Sequence, residues 1–336
     1  MQIQENISLK QWNTFGIEVS ARYFATFSDA DSLAGALSNS HQLPVLILGG
    51  GSNILFTKNF NGLVAKNAVS GIELIKENEY HVYVRVGAGE NWHRFVLYCI
   101  QRNWAGIENL SLIPGSSGAA PIQNIGAYGV EAKDVIDELE AYHISDKKVY
   151  TLSANDCEFG YRDSVFKGRF KDQFVILNVT FRLNKVPRFN TSYGAIEKEL
   201  ENMGVSKLTI SAVSQAVINI RNSKLPDPAE TGNAGSYFKN PVVAMARYRE
   251  LRNQYPDIVG YEFGSETKKI SAGWLVEQCG WKGFRRGDAG CYSKQALVLV
   301  NYGNASGSEI SHLGEEIALS VKKKFGVTLV PEVNIL

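Results

Sequence analysis

Two glycine-rich loops are the features that most constrain this sequence. The first glycine loop is residues 48–53 (Leu-Gly-Gly-Gly-Ser-Asn), and the second glycine loop is residues 113–129 (Ile-Pro-Gly-Ser-Ser-Gly-Ala-Ala-Pro-Ile-Gln-Asn-Ile-Gly-Ala-Tyr-Gly). Loops with so few side chains expose backbone N–H groups, which can bind a diphosphate. Glycine also forms tight turns by adopting positive φ, so either loop alone has a structural explanation. Because each loop follows an apolar run, the pair predicts a long dinucleotide bound along its whole length.

The spacing of the glycines excludes the commonest phosphate-binding motifs. Ile54 stands where the third glycine of G-x-G-x-x-G would be, and no Gly-Lys-Ser/Thr follows at the spacing of a phosphate-binding loop. The chain also lacks the G-x-S-x-G sequence of serine hydrolases. Its five histidines lie outside the segments rich in reactive side chains, which favours packing or surface roles for them (His41, His81, His93, His143 and His312).

The composition is that of an ordinary globular protein, and 336 residues are enough for about two domains or three small ones. A formal net charge of +1 gives no electrostatic reason to expect a nucleic-acid or membrane partner. The N-terminus does not resemble a signal peptide, and no apolar run approaches the length of a membrane span. The cysteines lack the spacing of metal sites, so we expect no metal, reduced thiols and a cytoplasmic protein (Cys99, Cys157, Cys279 and Cys291).

Hydrophobic periodicity predicts a mixture of helices and strands in more than one lobe. Helices are expected from a cap at residues 28–31, over residues 92–100, near Ser211, and after the capping box at residues 306–309. Strands are expected at residues 43–48, 81–86, 139–152 (two strands), 174–183 and 327–330. The Pro-Asp-Pro sequence at residues 226–228 indicates a domain boundary.

Three further segments carry candidate reactive groups. Residues 160–167 combine an Arg, an Asp, a Ser and a Lys, residues 231–241 place a Ser among glycines and aromatics, and Glu332 lies near the chain end. Each has an ordinary alternative, since Arg162 could form a surface ion pair, Ser236 could belong to a turn, and a terminal carboxylate could simply be solvated.

Taken in order, these motifs resemble the UDP-N-acetylenolpyruvoylglucosamine reductases, flavoenzymes of bacterial peptidoglycan synthesis. The resemblance extends over residues 13–333 and includes, besides both glycine loops, the segments Tyr-Arg-Asp-Ser at 161–164, Gly-Asn-Ala-Gly-Ser at 232–236, Ala-Gly-Trp-Leu at 272–275 and Pro-Glu at 331–332. It implies an α+β protein with a two-lobed FAD-binding fold of the vanillyl-alcohol-oxidase type and a smaller α+β substrate-binding domain. The implied boundaries are 1–67 and 68–220 for the lobes, 221–331 for the substrate domain, and 332–336 for a return to the second lobe.

The resemblance also implies a reaction. NADPH reduces FAD, and the flavin then reduces the enolpyruvyl ether of UDP-N-acetylglucosamine to the lactyl ether, giving UDP-N-acetylmuramate. Arg162 would stabilise the negative charge that develops after hydride reaches C3, and Ser236 would donate the proton to C2. Glu332 would be the second active-site residue near the carboxylate, either protonated or orienting Arg162.

Binding residues follow from the same resemblance. FAD, held without a covalent bond, would contact Gly49, Gly50, Gly51, Ser52, Asn53, Ile113, Pro114, Gly115, Ser117, Gly118, Asn124, Ile125, Gly126 and Ala127. The sugar nucleotide would contact Tyr193, Asn240, Tyr261 and Gln295. Its diphosphate, or the phosphates of NADPH, would be held by Arg221, Lys224 and Lys282. We expect small-molecule partners only and a monomer. The alternatives are an FAD-dependent sugar or alcohol oxidase of the same fold and a non-catalytic nucleotide-sugar-binding relative.

Overall fold

The computed structural model describes residues 3–40, 43–192 and 194–336. Contacts within the chain divide it into two compact units, which are described separately. Unit 1 comprises residues 1–7, 20–51 and 60–223, and unit 2 comprises residues 8–19, 52–59 and 224–336. The division falls just after Gly51 in the first glycine loop and just before the Pro-Asp-Pro sequence. The expected domain borders at residues 67, 220 and 331 stay a proposal.

The strands are β1 (Gln4–Ser8), β2 (Ser20–Phe27), β3 (Val45–Leu48), β4 (Ile54–Leu55), β5 (Phe60–Asn67), β6 (Ile72–Glu77), β7 (His81–Gly87), β8 (Gly126–Ala127), β9 (Val130–Glu131), β10 (Ile136–His143), β11 (Lys148–Ser153), β12 (Phe174–Asn184), β13 (Gly232–Ser236), β14 (Val242–Ala244), β15 (Gly260–Glu262), β16 (Thr267–Ile270), β17 (Arg285–Arg286), β18 (Ala289–Cys291), β19 (Val298–Asn301) and β20 (Asn334–Ile335). The helices are α1 (Ala30–Ser38), α2 (Trp92–Gln101), α3 (Gly194–Asn202), α4 (Ile210–Lys224), α5 (Met245–Gln254), α6 (Ala272–Gln278) and α7 (Gly307–Phe325).

The first lobe of unit 1 is a four-stranded sheet in the order β1-β2-β5-β3, covered by α1. Both β2 and β3 run parallel to β5, which places the end of β3 and the first glycine loop at the same sheet edge as the end of β5. Helix α1 begins where the sequence predicts, because the carboxylate of Asp29 accepts a hydrogen bond from the backbone N–H of Ser32 at 2.7 Å.

The second lobe of unit 1 is a five-stranded antiparallel sheet in the order β11-β10-β12-β7-β6. Alternate residues of β7 face its core, and Val82, Val84 and Val86 are all buried. Helix α2 packs on the same face, where Phe95 lies with its ring centre 5.0 Å from that of Phe181. The helical spacing of the apolar residues between 92 and 100 therefore predicted the correct buried side of α2.

The two lobes of unit 1 share a core. Phe27 from the first lobe is buried in the same cluster as Tyr142, Val175 and Leu177 from the second. The side-chain amide of Asn67, at the end of β5, donates to the carbonyl oxygen of Ile176 at 2.9 Å. This packing fixes one sheet against the other and so fixes the loops that both sheets carry.

Unit 2 contains an antiparallel sheet in the order β13-β19-β18-β17, a smaller sheet in the order β14-β16-β15, and α5, α6 and α7. The expected capping box opens α7, since Ser306 accepts from the backbone N–H of Glu309 while Glu309 accepts from that of Ser306. Gly326 ends the helix with a φ of 65°, which glycine adopts at low cost. Three lysines occupy the last turn, as predicted.

The Asn-Thr-Phe-Gly sequence at residues 13–16 has a structural role in unit 2. The side chain of the buried Asn13 donates to the carbonyl oxygens of Leu9 and Ile17, closing the segment into a compact turn. The carbonyl oxygen of Phe15 accepts from Asn301 at 2.9 Å, and a Cβ on Gly232 would lie only 2.2 Å from that oxygen. This turn therefore supports the strand that leads to Ser236.

One expectation about the chain end needs correction. Residues 327–330 do not form a strand, because pairing is reduced to a single bridge between Phe238 and Pro331, and Pro331 has no N–H to continue a ladder. Within unit 2, the final strand β20 pairs in parallel with β4 at residues 54–55, and the expected return of residues 332–336 to the second lobe stays a proposal. In the described ranges no helix is long and apolar enough to cross a membrane.

We predict that Phe95→Ala lowers the free energy of unfolding by about 3–5 kcal/mol, because truncation leaves a cavity between α2 and Phe181. Leu97→Ala on the same helix is the matched control, since Leu97 is 37% exposed, and should cost much less. Urea unfolding measures both. Equal losses in the two variants would contradict the assigned buried face of α2.

Candidate active site

The two glycine loops lie against each other in unit 1. A Cβ added to Gly50 would be 2.7 Å from the Cα of Gly115, and one added to Gly49 would be 2.5 Å from the hydroxyl oxygen of Ser116. The contact at Gly50 is with backbone atoms, so the approach of the second loop leaves no room for a side chain there. At Gly49 the nearest atom belongs to the side chain of Ser116.

Helix α2 and the turn that connects β7 to α2 hold the second glycine loop in place. The N–H of Trp92 donates to the carbonyl oxygen of Gly115 at 3.0 Å, and the N–H of Ser117 donates to that of Glu90 at 2.8 Å. Gly118 donates to Ala88, and a Cβ on Gly118 would lie 2.3 Å from the Cβ of Ala88. The loop is thus a fixed backbone surface next to the first glycine loop.

Two observations test whether FAD fits these loops. The hydroxyl oxygen of Ser117 is fully buried and has no hydrogen-bond partner, although an unsatisfied buried polar atom costs about 1–3 kcal/mol. A cavity of about 600 Å³ opens beside it, and its walls include Gly49, Ser116 and Gly118. The residues therefore fit a nucleotide cofactor whose polar atoms would complete the loop.

Several walls of this cavity come from residues outside the motifs that the sequence indicated. They include Asn67 at the end of β5 and three phenylalanines, at positions 166, 170 and 174, of which Phe170 and Phe174 have ring centres 4.9 Å apart. Flat apolar walls suit a flat heterocycle. Asn67 could have been found as the polar residue that ends a buried strand, whereas the phenylalanines carry no signal that distinguishes them from core residues.

The remaining predicted cofactor residues of the second loop form a turn built by Asn124. Its buried amide donates to the side chain of Glu131 and to the carbonyl oxygen of Gly160, both at 2.9 Å, and accepts from the N–H of Lys133. The turn continues through Ile125 into β8 at Gly126 and Ala127. The Asn124 side chain therefore fixes the path of this turn from within the protein.

Arg162 is attached to this same turn. Its guanidinium donates to the carbonyl oxygens of Asn124, at 3.3 Å, and Gly126. A Cβ on Gly126 would lie 3.0 Å from Nη1 of Arg162, so glycine is needed there for the contact. Arg162 itself has a φ of 53°, a conformation that costs a non-glycine residue free energy and is typical of functional sites. The arginine is thereby joined to the second glycine loop.

Ser236 ends β13 in unit 2 and is half-buried. It pairs with Val298 of β19 after a bulge, and Gly235 before it has a φ of 70°. Over the described ranges, no hydrogen-bond partner is found for the Ser236 hydroxyl. Its backbone is fixed while its hydroxyl can still donate, which are the properties required of a proton donor.

Glu332 lies beside the same segment. Its N–H donates to the carbonyl oxygen of Tyr237 at 2.8 Å, which places it next to Ser236 in unit 2. The side-chain amide of Asn53 donates to the carbonyl oxygen of Glu332 at 3.2 Å, and the N–H of Asn334 donates to that of Asn53. The end of the first glycine loop, with Ser52 and Asn53, is therefore joined to the chain end.

Arg221 of α4 faces Tyr128 of the second loop, in unit 1. Its Nε is buried without a hydrogen-bond partner, and burial lowers the pKa of Arg221 while a hydrogen bond with Tyr128 opposes this effect. Burial likewise raises the pKa of the Tyr128 phenol. A buried guanidinium that faces a neutral phenol has capacity to bind an anion. Lys224, one turn further along α4, is exposed.

The structure brings two predicted substrate residues of unit 2 to the start of α6. Asn240 accepts a hydrogen bond from the N–H of Ala272 at 2.9 Å, and a Cβ on Gly273 would lie 3.1 Å from the side-chain oxygen of Gln295. Tyr261 lies in β15, and Lys282 forms an exposed ion pair with Glu277 at 2.9 Å. Tyr193 lies outside the described residues.

No cluster of three or more His, Cys, Asp or Glu residues with metal-binding geometry occurs in residues 3–40, 43–192 and 194–336. All four cysteines are free, and burial raises the pKa of Cys157 and Cys291 to about 12. The thiols of Cys157 and Cys291 are therefore unreactive at neutral pH.

Comparison with known proteins identifies the class. Residues 22–153 match a family of FAD binding domains, and a crystal structure of UDP-N-acetylenolpyruvylglucosamine reductase from Thermus caldophilus has the same fold. That structure has a TM-score of 0.70 at 22% identity and covers 100% of this chain and 99% of its own. The chain is an FAD-dependent oxidoreductase of α+β fold, as the sequence predicted.

The particular family follows from closer relatives. Residues 227–336 match the C-terminal domain of UDP-N-acetylenolpyruvoylglucosamine reductase. Reductases of that name from Amoebophilus asiaticus and Flavobacterium johnsoniae are 51% and 46% identical, each over 100% of both chains. One from Pseudomonas syringae is 47% identical over 100% of this chain and 99% of the relative. The chain belongs to the UDP-N-acetylenolpyruvoylglucosamine reductase family.

We predict that Gly50→Ala weakens FAD binding by about tenfold or more, because overpacking that costs about 1–3 kcal/mol would separate the two glycine loops. Gly194→Ala is the control, since a Cβ there meets no atom within 4 Å. Flavin fluorescence during titration of the apoprotein measures both affinities. Unchanged binding by Gly50→Ala would show that FAD does not need the contact between the loops.

Proposed function

We propose that this chain uses NADPH to reduce bound FAD and then reduces the enolpyruvyl ether of UDP-N-acetylglucosamine to give UDP-N-acetylmuramate, a step of peptidoglycan synthesis. The observation that carries the proposal is full-length identity of 46–51% to reductases of that name, together with Arg162 attached to the second glycine loop. The three proposed catalytic residues are Arg162, Ser236 and Glu332.

When bound and reduced by NADPH, the flavin would supply a hydride to C3 of the enolpyruvyl group. Negative charge then develops at C2 and in the adjacent carboxylate of the substrate. We assign stabilisation of that charge to Arg162, whose guanidinium is oriented by the carbonyl oxygens of Asn124 and Gly126. Donors that are fixed before the reaction stabilise developing charge most effectively, because they need no reorganisation.

Ser236 is the proposed proton donor to C2. A serine hydroxyl is a weak acid, but a carbanion-like centre is a strong base, so transfer of the proton is downhill. The pairing of Ser236 with Val298 fixes the donor, which proton transfer requires. We place Glu332 near the substrate carboxylate, on the segment joined to Tyr237.

Binding roles are proposed for the remaining predicted residues. Gly49–Gly51, Ser52, Asn53 and the second-loop residues 113–118 and 124–127 would contact FAD, with the orphaned hydroxyl of Ser117 as a direct ligand. The sugar nucleotide would contact Asn240 and Gln295 at the start of α6, and also Tyr261, Lys282, Tyr193, Arg221 and Lys224. The free thiols support a reducing, cytoplasmic location, and we propose a monomer without nucleic-acid or membrane partners.

The whole proposal is tested by an anaerobic titration of the purified protein. The protein should be yellow, acid should release its flavin because the flavin is not covalently attached, and NADPH should bleach it. The enolpyruvyl sugar nucleotide should then restore the colour. Restoration by oxygen but not by the sugar nucleotide would favour the oxidase alternative, and a protein that takes up no FAD would exclude both.

We predict that Ser236→Ala leaves reduction by NADPH nearly unchanged and slows reoxidation by the sugar nucleotide by about 10²–10⁴-fold, because only the second step needs the proton. Ser38→Ala is the control, since Ser38 is exposed on α1, where its hydroxyl donates to the carbonyl oxygen of Gly35. Stopped-flow absorbance separates the half-reactions. Similar losses in both half-reactions would refute the assignment.

A further inference from the structure

His93 occupies the second position of α2, beside the second glycine loop. The sequence favours a packing or surface role for this histidine, but its ring accepts a specific hydrogen bond. Nδ1 of His93 accepts a hydrogen bond from the backbone N–H of Leu112 at 2.9 Å. Leu112 directly precedes Ile113, Pro114 and Gly115, which are proposed FAD contacts. The imidazole therefore holds Leu112, the residue from which the chain enters the second glycine loop.

This hydrogen bond holds a strained residue. Leu112 has a φ of 60°, which is unfavourable for a leucine and persists only where surrounding contacts impose it. The neighbouring Trp92 supplies two further contacts, from its ring N–H to the carbonyl oxygen of Leu110 at 2.9 Å and from its backbone N–H to that of Gly115 at 3.0 Å. The segment 110–115 is thus attached to α2 at three points, of which His93 supplies the middle one.

We infer that His93 is a positioning residue for FAD, and that its neutral imidazole holds the 112–115 turn against the first glycine loop. Few residues separate His93 from the first glycine loop, because Gly115, at the end of the turn, is the residue that Gly50 contacts. The inference rests on the proposal that this turn binds FAD.

The surroundings of His93 keep its ring neutral. Burial lowers the pKa of His93 from its ordinary value of 6.5, and the positive charge of Arg221 on α4 lowers it further. The N-terminal end of α2 also disfavours a cation. The 110–115 segment carries no ionisable side chain, Glu108 is directed to the N–H of Gly106, and Tyr128 is a neutral phenol facing Arg221.

Protonation would remove the acceptor. A protonated imidazole carries hydrogen on both nitrogens, so Nδ1 can no longer accept from Leu112. Because the folded-state pKa lies below 6.5, the unfolded chain takes up a proton that the folded protein does not as the pH falls. The stability that neutral His93 contributes to the folded protein is therefore present above pH 6.5 and is lost progressively as the pH falls below that value.

FAD affinity of three variants tests the inference. His93→Leu removes the acceptor and should weaken FAD binding by about tenfold or more at neutral pH, because the Leu112 N–H loses its partner. His93→Asn places an oxygen where Nδ1 was and cannot titrate. It should bind FAD as wild type does near neutral pH but lose part of the decline that wild type shows below about pH 6. His312→Leu is the control, since His312 is exposed on α7 in unit 2 and FAD binding should be unaffected.

Affinity is read from quenching of flavin fluorescence on titration of apoprotein, with circular dichroism to confirm folding. Wild-type affinity for His93→Leu at neutral pH would overturn the inference, as would an acid decline in His93→Asn equal to that of wild type. If His93→Leu does not fold, the comparison of wild type with His93→Asn decides alone. A wild-type protein that binds no FAD would instead refute the proposed function.

Discussion

The close approach of Gly50 to Gly115 is the constraint on which the rest of unit 1 depends. These two backbone segments come from different lobes and lie so close together that no side chain fits between them. The approach is possible because the parallel sheet and the antiparallel sheet share a core around Phe27 and Leu177, and because Asn67 joins β5 to Ile176. The position of the loops is thus set by packing of the two lobes, and the loops supply N–H groups where a diphosphate can use them.

The chemistry that we propose is attached to the same backbone. Arg162 is oriented by carbonyl oxygens of the second glycine loop, so displacement of that loop would move the cation as well. In unit 2, the carbonyl oxygen of Tyr237 joins the Ser236 segment to Glu332. Each proposed catalytic group therefore lies on a backbone fixed by hydrogen bonds, which is the condition under which a single cation or hydroxyl is effective.

Local patterns in the sequence predicted the local structure well. The helical spacing in α2, the capping box of α7 and the alternation in β7 depend on neighbouring residues only, and all were confirmed. The strand expected at 327–330 was wrong because its partner, Phe238, is distant in sequence and Pro331 interrupts the pairing. The contact between the glycine loops, the attachment of Arg162 to Gly126 and the bond from Leu112 to His93 likewise depend on the tertiary fold, so no local pattern could reveal them.

A crystal structure of the protein with FAD and the enolpyruvyl sugar nucleotide tests the account most directly. It should show the FAD diphosphate against the backbone of Gly50 and Gly115, with the Arg162 guanidinium at the enolpyruvyl carboxylate and the Ser236 hydroxyl oxygen within reach of C2. A diphosphate bound away from the joined loops, or a C2 atom remote from Ser236, would contradict it.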